Sequence, residues 1–169
     1  MISISQDVLF IKLRAFILSL IPDVEVIQGL GNRVPMALGG FIAITPGDQE
    51  RLSTNETTYD VNGNREVKRS TKYGIQIDCY GPDSSDWATT IETMFRDPYG
   101  CDMLAPECQP LYCDQPRQSA LTNGEENYEQ RWVLTAMLQF NPTITVPQEY
   151  ADVLTATLIE VDATFKEIQ

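Results

Sequence analysis

The stretch Tyr73 to Phe95 changes period within itself, and that change limits what the chain can fold into. Tyr73, Ile75, Ile77 and Cys79 alternate with Gly74, Gln76, Asp78 and Tyr80, which makes a strand with one apolar and one mostly polar face. Gly81 and Pro82 stop the strand, and Asp83, Ser84 and Ser85 then offer N-cap side chains. Trp87, Ile91, Met94 and Phe95 follow at the three-to-four spacing of a buried helical stripe. A strand, a tight turn and an amphipathic helix cannot bury either apolar face alone, so the rest of the chain must supply partner surfaces.

Two other segments answer that need. Ser3 with Gln6 fits a capping box, with Ser5 as the alternative cap, for a helix that Pro22 ends and whose stripe is Leu9, Leu13, Phe16 and Leu20, widened by Ile17 and Ile21. A helix with so wide a stripe belongs on a sheet. Trp132, Leu134, Ala136, Leu138 and Phe140 alternate with polar neighbours in a second strong strand, expected to pair antiparallel with the Tyr73 strand. Shorter strands are read at Val24 to Ile27 and Phe41 to Thr45, with Gly39 and Gly40 letting the backbone approach a neighbour. Ile144 and Val146 continue the second strand past Pro142, and Leu158 to Val161 reads as a last strand with Phe165 behind it. The expected fold class is α+β: a mainly antiparallel sheet, two principal helices on one face, and one domain over residues 1–169. Its expected core includes Leu13, Phe16, Ile75, Ile77, Cys79, Trp87, Ile91, Phe95, Trp132, Leu134 and Leu138.

Between these elements lie two segments of another character. Residues 51–72 read as a long polar hairpin turning at Asn62-Gly63-Asn64. Strands polar on both faces have no core to sit on, so the hairpin is either an exposed arm or a ribbon that docks on another subunit. Residues 97–127 are rich in Pro, Gln, Asn, Asp and Gly and read as a long connection, with strand candidates only at Leu111 to Cys113 and Arg117 to Leu121.

Charge narrows the functions open to the chain. The formal net charge is −12, which argues against a protein that binds nucleic acid by neutralising phosphates. From Asp97 onward there are twelve acidic and three basic residues, while Arg51, Arg65, Lys68, Arg69 and Lys72 cluster in the hairpin. Beyond a solvated face, this pattern allows two complementary patches that meet between copies, with Arg117 and Arg131 as further interface candidates. Val8 to Ile21 is broken by Lys12 and Arg14, so it does not read as a membrane span. With Asp7 ahead of it and no small-residue cleavage site after, it does not read as a signal peptide, and the expected site of assembly is the cytoplasm.

Catalysis finds little to work with. The chain has no histidine, and Cys79, Cys101, Cys108 and Cys113 show no C-x-x-C spacing, so neither zinc nor another cofactor is expected and the thiols are read as free. The GLGN segment leads to a strand and not to a helix start, which is the wrong context for a phosphate loop. Asp78, Asp83 and Asp86 lie around one turn and could hold a hard divalent ion, but capping accounts for Asp83 and Asp86 more simply. No catalytic or metal residue is assigned.

Several blocks taken together resemble a known family. IQIDCYGPDSSDWATTIETMFRD, PLYCDQPRQSALTNGEENYEQRW and VLTAMLQFNPTITVPQEYADVLTATLIEVDAT look like the neck or tail-terminator proteins of tailed bacteriophages, particularly those of contractile tails. The resemblance rests chiefly on Asp78, Tyr80 to Asp83, Asp86 to Ala88, Asn123 to Glu125 and Tyr128 to Trp132. It implies a structural virion protein, not an enzyme. Such proteins form a ring, usually of six copies, that caps the tail tube, stops its polymerisation and joins it to the head-side connector. The implied partners are further copies, the tail-tube protein, the sheath where there is one, and the connector, with genomic DNA passing through the pore unbound. Acidic residues near Asp97, Asp102 and Asp114, or Glu125, Glu126 and Glu129, would then line the lumen and repel that DNA. Rival readings are a head-completion adaptor or tail-tube subunit, and a small metal-dependent hydrolase built on Asp78 and Asp83.

Overall fold

The computed structural model describes residues 2–29, 39–119, 121–122 and 128–148. The first helix, α1 (Gln6–Leu20), is capped by Ser5, whose Oγ accepts from the Val8 amide at 3.4 Å. Leu9, Leu13, Phe16 and Ile17 are buried, and Leu20, the fourth member of the expected stripe, is half-buried. Pro22 ends the helix as expected, since it cannot continue the amide ladder. Two strands follow, β1 (Glu25–Gln28) and β2 (Phe41–Arg51), and they pair in parallel, which no local pattern announced.

Three central strands carry the fold. β2 lies beside β5 (Thr71–Tyr80), which lies beside β10 (Arg131–Phe140), each pair antiparallel. The expected pairing of the two strong strands is present, with Leu134 opposite Ile77 and Ala136 opposite Ile75. Across β5, Ile44 also stands opposite Ile77, so one row of apolar side chains runs over three strands. The sheet order is β1-β2-β5-β10, continued by β6 (Cys108–Cys113), with β7 (Arg117–Gln118) also on β10. β2 does not stop at Pro46-Gly47, as its breakers predict. It passes through them at a register shift between Pro46 and Gln49, because a bulge leaves room for a residue without an N–H.

The helices cover one face of this sheet. α2 (Ser84–Phe95) contacts β5 and β10, and α1 touches both α2 and α3 (Pro98–Leu104). α3 lies in what the sequence presents as an irregular connection, so there are three helices where two were expected. Its start is held by Asp97, whose side chain accepts from the Tyr99 amide at 2.9 Å, with Pro98 in the first turn, where its missing N–H costs nothing. Asp83, the expected side-chain cap of α2, makes no such bond; only its carbonyl accepts, from the Trp87 amide at 3.0 Å. The turn before α2 depends on Gly81, at φ +111°, where an added Cβ would stand 2.8 Å from the Gly40 Cα. Gly40 in turn lies against the Trp87 ring, the close approach expected of that glycine pair.

Of the expected core, Leu13, Phe16, Ile75, Ile77, Cys79, Ile91, Phe95, Leu134 and Leu138 are buried. Trp87 and Trp132 are partly buried and pack against them. Phe16 and Phe95 meet edge to face, with centroids 6.3 Å apart, where α1 crosses α2.

The hairpin departs most from expectation. Its strands are β3 (Glu56–Tyr59) and β4 (Asn64–Lys68), and β4 also pairs with β11 (Thr143–Pro147). The arm is therefore not a two-stranded ribbon but part of a three-stranded sheet in order β3-β4-β11, the third strand coming from the same chain. These three strands follow or precede β2, β5 and β10 along the chain, so the small sheet continues the centre of the large one. The break falls at Arg69-Ser70 and Asn141-Pro142, tied by Arg69 N–H to Pro142 O at 3.1 Å. Short strands β8 (Leu121–Thr122) and β9 (Tyr128–Glu129) pair with each other. The expected strand at Leu158 to Val161, with Phe165, and the turn at Gly31, Asn32 and Pro35 lie outside the described residues.

Candidate functional site

The small sheet is the part of the molecule built for contact. Register places Ile144 beside Val67 and Thr57, and Val146 beside Arg65 and Tyr59, so these side chains share one face. Ile2 bridges to Ile144 and joins them, held there by Ser3, whose N–H donates to Thr143 O and whose Oγ accepts from the Thr143 amide. The opposite face carries Glu56, Thr58, Asn64, Glu66, Lys68, Thr143 and Thr145. Alternation of this kind is the mark of a sheet with one covered side. Yet Ile2 and Ile144 are each 48% exposed, Val146 41% and Tyr59 64%. At the tip, Asp60 locks the turn, its Oδ1 accepting from the amides of Asn62 and Asn64 and its Oδ2 from the Asn64 side chain, all at 2.8 Å. These bonds, the Asn64 side chain first, hold the Asp60 carboxyl below its usual range.

The basic residues of the hairpin divide by partner. Lys72 pairs with Glu50 at 2.5 Å, a contact that pushes its ammonium above the usual lysine range, and Lys68 pairs with Glu56 at 3.4 Å. Arg69 donates from Nε to Thr71 Oγ1 at 3.0 Å. Arg51 and Arg65 are exposed, as is Arg117 on β7.

Arg131, an interface candidate from the sequence, is engaged inside its own chain. Its Nε and Nη2 donate to Asp78 Oδ1 at 3.1 and 2.9 Å, and its guanidinium lies 5.6 Å from the centre of the Tyr80 ring. Gln76 donates to both oxygens of the same carboxylate. Asp78 is 3% exposed, and this network clamps β5 to β10 on the sheet face away from the helices. The Asp78 carboxylate is thus saturated by donors, which leaves it poorly placed to act with Asp83 on a cation. Among the described residues, no three Cys, Asp or Glu side chains come together as a metal would need.

The acidic candidates lie apart from this network. Asp97 caps α3, and Asp97, Asp102 and Asp114 are exposed, with Tyr99 exposed between the first two. Glu107 instead pairs with Lys12 at 2.8 Å, joining α1 to the segment beyond α3, and that partner holds its carboxyl below the usual range. Glu129 lies in β9, and Glu125 and Glu126 lie outside the described residues.

All four cysteines among these elements are free thiols. Burial pushes Cys79, Cys108 and Cys113 up to about 12. At pH 8 these three stay protonated, so a brief exposure of the native protein to iodoacetamide should modify Cys101 alone. Peptide mass mapping checks this, and rapid labelling of Cys79 would contradict the packing of β5 against the helices.

What the sequence did not disclose is the apolar face of the small sheet. Ile144 and Val146 show the right alternation, but Tyr59, Val67 and Ile2 join them only through cross-strand register.

Comparison with individual curated proteins finds no match. A protein-family model described as phage neck terminator protein matches residues 7–167, a span that takes in every helix, all eleven strands and the Asp78–Arg131 clamp. This α+β chain, with its mostly antiparallel sheets, belongs to the phage neck terminator family.

Proposed function

We propose that copies of this chain close into a ring, of about six subunits by family resemblance, at the head-proximal end of the phage tail. The ring ends polymerisation of the tail tube and offers the surface to which the head-side connector joins. The family match over residues 7–167 carries this reading, because it places the chain among structural proteins of the neck. Its neighbours are then other copies, the tail-tube protein, the connector and, in a contractile tail, the sheath. Asp97, Asp102 and Asp114, with Glu125, Glu126 and Glu129, are the residues proposed to face the channel, where like charge keeps passing DNA from sticking. The basic patch of Arg51, Arg65 and their neighbours is proposed for contact between subunits.

Native mass measurement of the purified protein tests the proposal. Closed particles at one fixed multiple of 19.0 kDa are expected, and adding them to growing tail tubes should halt elongation. Long polymers would identify a tube subunit instead. A chain that stays solitary at high concentration and attaches to no tail would overturn the proposal.

A further inference from the structure

We infer that the apolar face of the small sheet, centred on Ile144, Val146 and Tyr59, is the surface by which one copy seats on the acidic α3 side of the next. The inference rests on the ring reading and gives it a contact. Four features of the chain lead to it.

A three-stranded sheet with alternating faces and an uncovered apolar side is an unfinished layer, and contiguous exposed apolar side chains on a small protein mark an interaction site. The occupant is indicated by charge. Residues 51–72 carry five basic against three acidic residues in a chain whose net charge is −12, so this lobe is the positively charged exception. Residues 97–118 carry four acidic residues and one basic, and there Asp97, Asp102 and the half-exposed Tyr99 offer carboxylates beside an aromatic ring. The same chain therefore holds both halves of a complementary pair. A symmetric contact of the lobe with itself is disfavoured, because Arg65 lies on the apolar face beside Tyr59 and Val146 and would meet a second basic lobe. A head-to-tail contact removes that conflict and is the kind that closes a ring.

The test uses the full chain with Tyr59→Glu and Ile144→Glu together, and sedimentation velocity across a concentration series. The wild type is expected to assemble, while the double variant should keep the wild-type circular dichroism and melting temperature and associate at least a hundredfold more weakly. Raising salt to about 0.5 M should weaken wild-type assembly, as a contact between opposite charges requires. A milder pair, Tyr59→Ser with Val146→Thr, covers the case in which the glutamates disturb the fold, and should weaken assembly at least tenfold. In a mixing experiment, the double variant still offers its acidic side to wild-type lobes, so it should shorten or block wild-type rings.

If either variant pair assembles as the wild type does, the face is not the subunit contact, and the ring reading stands without it. If rings form normally but fail to join purified tails, the face belongs to another virion protein and the inference is overturned. Failure of the wild type itself to assemble would count against the ring reading, and this inference with it.

Discussion

Replacing Phe95 by alanine should lower stability by about 4 kcal/mol, the largest loss expected from any single side chain discussed above. Phe95 has no exposed surface and sits at the last turn of α2, where its ring meets the edge of Phe16 from α1. Truncation removes the transfer free energy of the ring and its edge-to-face contact, and leaves a cavity between two helices. The backbone cannot close over that space, because Gly100 of α3 already lies so near that an added Cβ would stand 2.4 Å from the Met94 carbonyl oxygen. For a chain of this length, such a loss corresponds to a fall in melting temperature of about 8–16 °C. Phe95→Leu, which refills part of the volume, should recover roughly half of it. Calorimetry reads both, and a fall of less than about 3 °C for the alanine variant would mean that the α1–α2 seam does not hold the fold together.

Arg131→Ala should cost about 3 kcal/mol at neutral pH, through a different mechanism. The substitution leaves the Asp78 carboxylate, 3% exposed, with Gln76 as its remaining donor among the bonds described. A buried charge stripped of its ion partner is far more costly than the intact pair was favourable, since the desolvation has already been incurred. Asp78→Ala should cost less, because Arg131 keeps about a quarter of its side chain in water and still lies over Tyr80. The double variant should then be more stable than the two single losses added together predict, with a coupling of about 1–3 kcal/mol. Chemical denaturation of the four proteins closes the cycle. The outcome that would return Arg131 to the list of subunit contacts is full stability of Arg131→Ala combined with loss of assembly. The geometry gives that residue an internal role, so its sequence-based assignment to an interface is the part of the basic patch we expect to fail.

The two strong strands and the two long helices were legible because each buries a face and so carries a period. In β5 and β10 the alternation is complete, and matching one apolar face to the other fixes which strands lie side by side. Asp97 capping and the burial of Leu9, Leu13, Phe16, Ile91 and Phe95 follow the same logic. The third helix was hidden for a physical reason. α3 spans seven residues, too short to show a period, and it contains Pro98 and Gly100, which signal a break anywhere but at a helix start. Pro46-Gly47 misled in the same way, since a bulge within a strand and the end of a strand call for the same residues.

The charged residues were the least legible. Their number and clustering can be counted along the chain, but Lys72 facing Glu50, Lys12 facing Glu107 and Arg131 facing Asp78 are pairings of residues 22 to 95 positions apart or set by strand register. Sequence alone determined the class of fold, the two central strands and the absence of histidine chemistry, because these depend on composition and local period. Only the tertiary structure decided that β11 completes the hairpin, that Asp78 and Arg131 clamp each other, and that Ile2, Tyr59, Ile144 and Val146 share one open face. Each of these depends on which distant segments become neighbours, and that is settled by the packing of the whole chain and not by any stretch of it.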